Sequence, residues 1–321
     1  MFVDIVLKKT SALSAAMLIM AAAWFVWHLP GADLSVVSFS FLASAALCGT
    51  SDIELNFRRC IQLVCGAVSV QFLFSITAEY PLIRVAVAAL CSFFVLAIMP
   101  DRQYAILVLL TGYLTLSAPS GLSASLNRAM DIVFAGAVVT VVTTLCNLFT
   151  EKNHNEILPE KSYTYRQAAV ITAELTVGFI IAQIFDHAQF VWIMLAILFV
   201  HMAKSPRTAI VKLSKQRLAA TPLGIFLGGI YLASLCNLNY RWIYIVPLSG
   251  IFAFFVLYAK NDYFYFTVLF MFSLTVFTDW MLGTGNRFHF AEVMFFRSLA
   301  TVIGGILLLT GKNLMQKDDV L

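Results

Sequence analysis

Four arginines, each opening an apolar run, are the residues of this chain best suited to bind an anion. They are Arg59, Arg128, Arg217 and Arg297. A guanidinium group holds a carboxylate through two parallel hydrogen bonds, and a charge kept inside a membrane usually faces a cavity or a partner. Paired arginines around a central axis would therefore form a path for an organic anion. Alternatively, arginines at helix ends reach the lipid head groups and set the topology, which is a structural role.

Two carboxyl groups lie in similarly apolar surroundings. Glu174 is about two turns into an apolar run without another charge near it in sequence, and Asp131 lies one turn after Arg128. A carboxyl group inside a membrane span can take part in a proton relay. We predict that Glu174 and Asp131 couple transport to protons. The alternatives are that Glu174 pairs with an arginine on another helix and that Asp131 pairs with Arg128.

The arginines and the glycines that follow them belong to a repeated pattern. Its matched segments are RCIQLVCG (59–66) with RLAATPLG (217–224), FFVLAIMPD (93–101) with FFVLYAKND (254–262), and RAMDIVFAG (128–136) with RSLATVIGG (297–305). Three landmarks in the same order predict a tandem duplication of about 150 residues. The glycines in this pattern, Gly66, Gly136, Gly224 and Gly305, are expected to serve close helix packing or hinge motion, and packing is the favoured role.

The composition is that of a polytopic membrane protein. Hydrophobic residues make up 61% of the 321 residues, charged residues 12%, and the mean hydropathy is +0.88. Soluble domains are about a quarter charged, so that class is excluded. Because about 20 apolar residues cross a bilayer, we predict an all-α protein of about twelve transmembrane helices. The predicted spans are roughly 11–28, 33–49, 60–77, 82–99, 104–119, 128–148, 168–185, 189–203, 218–236, 242–259, 263–281 and 297–311. Several are short, 189–203 especially, and these are expected to be tilted, broken or interfacial.

These spans predict two six-helix repeats in the same orientation. The first repeat covers residues 1–150, a cytoplasmic linker 151–167, and the second repeat 168–321. Most of the 21 lysines and arginines fall on one side of the membrane in this arrangement, which is then the cytoplasmic side. Both termini are therefore predicted to be cytoplasmic. The first apolar run lacks a small-residue cleavage site after it and is expected to be a transmembrane helix rather than a signal peptide.

The pattern RxxDxxxxG at Arg128, Asp131 and Gly136, together with the arginine-then-glycine starts of the other runs, resembles the fusaric acid resistance/aromatic acid exporter superfamily. That family is built from six-helix membrane units, frequently duplicated, and its bacterial members resemble efflux pumps for aromatic carboxylates. Plant aluminium-activated malate channels are similar, with an anion path between two six-helix subunits. The large cytoplasmic domains of bigger members are reduced here to the linker and a short tail, and Ala300 stands where the first repeat has Asp131. The chain thus resembles a compact bacterial branch.

The resemblance implies a bacterial inner-membrane secondary transporter. It would export small organic anions, aromatic or amphipathic, in a proton-coupled manner and with a periplasmic adaptor of the membrane-fusion type. A passive organic-anion channel would use the same arginines without Glu174, and a lipid-modifying membrane enzyme is a third class, for which only a lone HxxE at His289 and Glu292 speaks. The six cysteines have no zinc-site spacing, no Walker A motif is present, and no metal, cofactor or nucleic-acid partner is expected. A homo-oligomer remains open.

Overall fold

The computed structural model describes residue 18 and residues 57–99, 102–114, 122–149, 163–185, 188–202, 209–235, 263–282 and 287–315. Within these residues the chain is helical apart from a few turn and extended positions at helix ends. The predicted spans 11–28, 33–49 and 242–259 lie outside the described residues, except for Leu18, which is helical. Most of the predicted linker 151–167 also lies outside them.

The described helices follow the apolar runs. They are α1 (Phe57–Ile76), α2 (Pro81–Ile98), α3 (Arg102–Leu114), α4 (Leu122–Phe149), α5 (Tyr165–Phe185), α6 (Trp192–Met202), α7 (Ala209–Leu235), α8 (Tyr263–Leu282) and α9 (Arg287–Met315), with a 3-10 turn at Ala188–Val191 before α6. Each overlaps one predicted span. However, α4, α7 and α9 begin about two to three turns before Arg128, Arg217 and Arg297 respectively. These arginines therefore lie inside helices rather than at their starts.

Four stretches of the described helices are long and apolar enough to cross a membrane. They are Pro81–Ile98, Leu122–Val142, Tyr165–Phe185 and Met294–Gly311, and shorter apolar stretches occur at Cys60–Ile76, Tyr104–Tyr113, Trp192–His201 and Tyr263–Phe272. The chain is thus an α-helical, multi-pass membrane protein. The count of twelve spans and the tandem repeat stay predictions.

The chain divides into two compact units, Met1–Met202 and Ala203–Leu321. The first contains α1 to α6 and the second α7 to α9. The helices α5 and α6, which the sequence assigns to the start of the second repeat, pack with the first unit, α5 on α2 and α6 on α3. A packing unit and a sequence repeat need not share a boundary, so the predicted limits at 151–167 stay a prediction.

Neighbouring helices of unit 1 alternate in direction. A short turn, with Pro81 at the start of α2, reverses the chain after α1 and returns Met99 to the side of Gly66. The helices α1 and α3 run parallel, because Gly66 lies against Val108 and Gly112 against Val70. The helix α4 runs opposite to α1, since Arg128 lies near the end of α1 at Ser75 while Gly136 lies near its middle.

Two short helices, α3 and α6, form the centre of unit 1. Every residue from 105 to 113 and from 190 to 200 is buried, as expected of helices that are apolar on all faces. At 1.5 Å per residue, the 13 residues of α3 span about 20 Å and the 11 residues of α6 about 17 Å. These lengths refer to the described parts of the two helices. The expectation that 189–203 is tilted, broken or interfacial stays a prediction.

In unit 2, α7 packs against α8 and α9. Gly224 contacts the backbone carbonyl of Val268, and Gly228 approaches Thr275 so closely that a Cβ would stand 2.8 Å from its Cβ. The later residue of α7 thus meets the later residue of α8, so the two helices run parallel. On the other side of α7, Gly305 of α9 faces the side chain of Leu218. The four glycines of the repeated pattern therefore all lie at close helix–helix contacts, with Gly66 and Gly136 facing Val108 and Val64 in unit 1.

We expect Gly224→Ala to destabilise the protein even though alanine is the better helix former. The new methyl group would meet the backbone of α8, which cannot yield as a side chain can, at a cost of about 1–3 kcal/mol. The free energy of unfolding in mixed detergent micelles measures this. The matched control is Gly305→Ala, where the methyl group would meet Cδ2 at the end of the half-buried Leu218 side chain, which can move. An equal or smaller loss for Gly224→Ala than for Gly305→Ala would contradict the interpretation.

Candidate functional site

A buried carboxyl–imidazole pair joins α5 to α6. Glu174 lies on the buried face of α5 with Ile171 and Leu175. Its Oε2 is 3.0 Å from Nε2 of His201, and the two side chains are only 6% and 5% exposed. Removing one member of a buried pair costs about 3–5 kcal/mol, because the other is left uncompensated. Each group therefore satisfies the other inside an apolar interior.

The partner of Glu174 is a histidine, where the sequence alternative was an arginine on another helix. His201 lies in the last turn of α6, and only the antiparallel packing of α5 and α6 brings it level with Glu174. In the sequence it stands at the end of an apolar run with no acidic neighbour, which is why the pair was not predicted. A polar residue ending a run that is otherwise wholly apolar is the signal that would have found it.

Hydrogen bonds at the start of α5 fix the position of Glu174 along the helix axis relative to α6. Thr164 and Gln167 form a capping box. The backbone N–H of Gln167 donates to Thr164 Oγ1 at 3.3 Å, and the backbone N–H of Thr164 donates to Gln167 Oε1 at 3.1 Å. Arg102 of α3 also donates to Gln167 Oε1 at 3.4 Å and lies 4.8 Å from the ring of Tyr163. The hydroxyl of Tyr163 donates to the His201 carbonyl at 3.1 Å. One polar layer thus holds the start of α5 and the end of α6 together.

Other charged or titratable groups on the helices packed around the pair are few. Among the described residues they are Arg84 and Cys91 on α2, Arg102, Tyr104 and Tyr113 on α3, and Tyr165 and Arg166 on α5 itself. Tyr113 shares a hydrogen bond with Ser92 at 2.9 Å and packs edge-on to Phe179. Acidic groups other than Glu174 do not occur on the described parts of α2, α3, α5 and α6. An imidazolium at His201 would therefore have Glu174 as the acidic partner that these helices supply.

In unit 1, Arg128 lies in a buried polar cluster between α4 and α1. It is 2% exposed, and its Nη1 donates to Ser75 Oγ at 3.4 Å. Gln71 donates to the same hydroxyl at 3.0 Å, and its own Oε1, also buried, accepts no hydrogen bond. Arg84 of α2 is close enough for the two positive charges to repel each other. Two guanidinium groups therefore lie near each other inside this unit.

In unit 2, Arg217 and Arg297 are each 3% exposed. Arg217, on α7, donates from Nη1 to the hydroxyl of Tyr263 at the start of α8, at 3.2 Å. Arg297 lies on α9, and its backbone carbonyl accepts the hydroxyl of Thr301 at 2.9 Å. Both arginines are enclosed by protein.

The structure describes less of the other two predicted charged residues. Arg59 lies in the first turn of α1, and its side chain is outside the described set. Asp131 is half-buried on α4, one turn after Arg128. Among the described residues, no group of three or more His, Cys, Asp or Glu side chains is arranged to hold a metal ion.

Residues 176–311 match the family model described as fusaric acid resistance protein-like. The resemblance to the fusaric acid resistance superfamily is confirmed. The match indicates a membrane transporter of the fusaric acid resistance type, and it includes His201, Arg217 and Arg297, whereas Glu174 stands just before it. No curated protein and no solved structure matches the chain at a significant level.

We expect Glu174 and His201 to be energetically coupled. In a double-mutant cycle with Glu174→Gln and His201→Gln, the losses of unfolding free energy should fail to add by about 1–3 kcal/mol, since either single change leaves its partner without a counter-charge. Unfolding in mixed micelles measures the cycle. A cycle of Glu174→Gln with Thr140→Val, on the helix α4 that packs against α1, should add within about 0.5 kcal/mol. Additivity in the first cycle would show that the pair contributes no coupling.

Proposed function

We propose that this chain is a bacterial inner-membrane secondary transporter that exports small aromatic or amphipathic organic anions in exchange for protons. The observation that carries the proposal is the burial of Arg128, Arg217 and Arg297 inside helices of a chain that matches a transporter family. Placing a charge at the centre of a span costs at least about 2.5–3.5 kcal/mol, so such charges usually serve a substrate or ion pathway. Guanidinium groups select carboxylates by geometry as well as by charge.

Proton exchange is assigned to the Glu174–His201 pair. Histidine is the side chain whose ordinary titration falls between pH 5 and 8, and a buried carboxylate beside it can give up or accept the same proton. Loss of charge on either partner weakens the contact between α5 and α6 at that point. Binding and release of a proton are thereby linked to the packing of α6, which is enclosed on all sides.

A periplasmic adaptor of the membrane-fusion type is also part of the proposal, because the family resemblance implies one.

The proton step is tested in proteoliposomes that contain only this protein. With benzoate as the probe, the wild type should move it uphill when a pH gradient is imposed. Glu174→Gln should reduce the rate of uphill benzoate movement at least tenfold. It should retain benzoate–benzoate exchange, because exchange needs the anion site and no net proton transfer. Asp131→Asn is the comparison, since Asp131 is the second predicted proton carrier.

The outcomes separate the candidates. Uphill movement that survives Glu174→Gln and is lost in Asp131→Asn would transfer the role to Asp131. Movement only downhill in the wild type at every pH gradient would identify a passive channel. If neither benzoate nor larger aromatic carboxylates move, the transport proposal is wrong for this class of substrate.

We also expect Arg128→Gln and Arg297→Gln to weaken benzoate binding by about 10–100-fold each, since each removes a hydrogen bond to a charged group. The measurement is the dissociation constant of radiolabelled benzoate from purified protein. Arg102→Gln is the matched control, because that arginine contacts Gln167 and Tyr163 at the start of α5. If the affinity for benzoate is unchanged in Arg128→Gln and Arg297→Gln, both arginines have a structural role and do not bind the anion.

A further inference from the structure

The first half of α7 carries a buried polar stripe. Ser214, Arg217 and Thr221 are spaced by three and four positions and lie on one face of the helix. They are 1%, 3% and 1% exposed. The same face continues into Gly224 and Gly228, which contact α8. The stripe therefore lies along the side of α7 that packs on α8, on the N-terminal side of the close glycine contact.

Two hydroxyl groups of this stripe have no hydrogen-bond partner. They are Ser214 Oγ and Thr221 Oγ1, both fully buried. A buried hydroxyl without a partner costs about 1–3 kcal/mol, so such a group normally has a ligand, water or protein acceptor. The stripe thus contains two donors without an acceptor in the part of the chain that the structure describes.

Four other buried threonines of the described helices behave differently, whereas Thr172 of α5 also has a buried hydroxyl without a partner among the described residues. The hydroxyls of Thr111, Thr267, Thr275 and Thr301 each donate to the carbonyl four residues earlier, at 2.7–2.9 Å. This back-bonding is the usual way for a helix to satisfy a buried hydroxyl. Thr221 has the carbonyl of Arg217 at the same spacing and does not use it. Its hydroxyl is therefore available to a group outside its own helix.

The sequence around the stripe adds two positive charges and a proline that removes one backbone hydrogen bond of the helix. Lys212 and Lys215 are exposed on the first turns of α7, where they raise the local concentration of anions. Pro222 lies inside the helix and has no amide hydrogen to donate to the Leu218 carbonyl. Arg217 and Thr221 are one turn apart on the same face, so a guanidinium and a hydroxyl donor can reach one carboxylate there.

We propose that Arg217 and Thr221 form a carboxylate-binding subsite in the first half of α7, whose N-terminal end the charge distribution predicts to be cytoplasmic. The hydroxyl of Thr221 donates to the carboxylate, and Arg217 supplies the positive charge while Tyr263 holds its side chain. The subsite deepens the proposed function: it rests on an anionic substrate and places the loading of that substrate in unit 2. Thr221 is then a residue that sets affinity for the anion without carrying a charge.

The test is a matched pair of substitutions that remove one hydroxyl and keep the shape. Thr221→Val should weaken the binding of radiolabelled benzoate to purified full-length protein by about 5–30-fold. Thr111→Val makes the same chemical change at a buried threonine whose hydroxyl already has a partner, and should leave the affinity within twofold. Thr221→Ser, which keeps the hydroxyl, should restore affinity close to the wild type.

A second probe separates recognition of the carboxylate from packing. Benzyl alcohol has the same ring without the charge, so its weak binding should not depend on Thr221. No effect of Thr221→Val on benzoate, an equal effect of Thr111→Val, or no rescue by Thr221→Ser would each overturn the subsite.

Binding and transport are measured separately, so the two proposals fail separately. Benzoate binding that depends on Thr221 in a protein that does not transport benzoate would refute the proposed function and leave the subsite. Uphill transport that is unaffected by Thr221→Val at limiting benzoate would refute the subsite and leave the transporter.

Discussion

A charge buried among apolar helices must be enclosed by polar partners, and this constraint determines how the helices of both units are arranged. In water two unit charges 4 Å apart attract by only about 1 kcal/mol, but the attraction and the cost of separation both grow as the surroundings become less polar. Glu174 and His201 meet this constraint by pairing across α5 and α6. Arg128 meets it with the polar groups at the end of α1, and Arg217 with the hydroxyl of Tyr263.

The enclosing geometry depends on close helix packing. The glycines on α1, α4, α7 and α9 let neighbouring backbones approach, and the short α3 and α6 are then surrounded on every side. On α7, close packing and the enclosure of a buried charge occur at different parts of the helix. The part around Gly224 and Gly228 is in direct backbone contact with α8, whereas the part around Arg217 keeps polar side chains between the helices. A rigid contact thus borders a polar segment on a single helix.

Much of this could be predicted from the sequence, and the exceptions have physical reasons. Apolar length placed the described helices, since crossing a membrane requires a long apolar run. The predicted spans also began at or beside Arg128, Arg217 and Arg297, because a hydropathy sum treats any charge as a boundary. The helices begin earlier in the chain, since the backbone hydrogen bonds of a helix do not depend on a side chain that faces the interior. His201 escaped prediction because its partner is 27 positions away, and no local pattern records an antiparallel contact.

Alternating helix direction in unit 1 has an electrical consequence. The dipole of each described helix is opposed by that of its sequence neighbour, so the helices as a group contribute little net dipole along the membrane normal. A membrane voltage then acts mainly on ionised side chains held in the apolar region, at about 2.3 kcal/mol per elementary charge for each 100 mV traversed. Among the described residues of this unit, Arg128 and the Glu174–His201 pair are therefore buried groups on which the membrane potential can act.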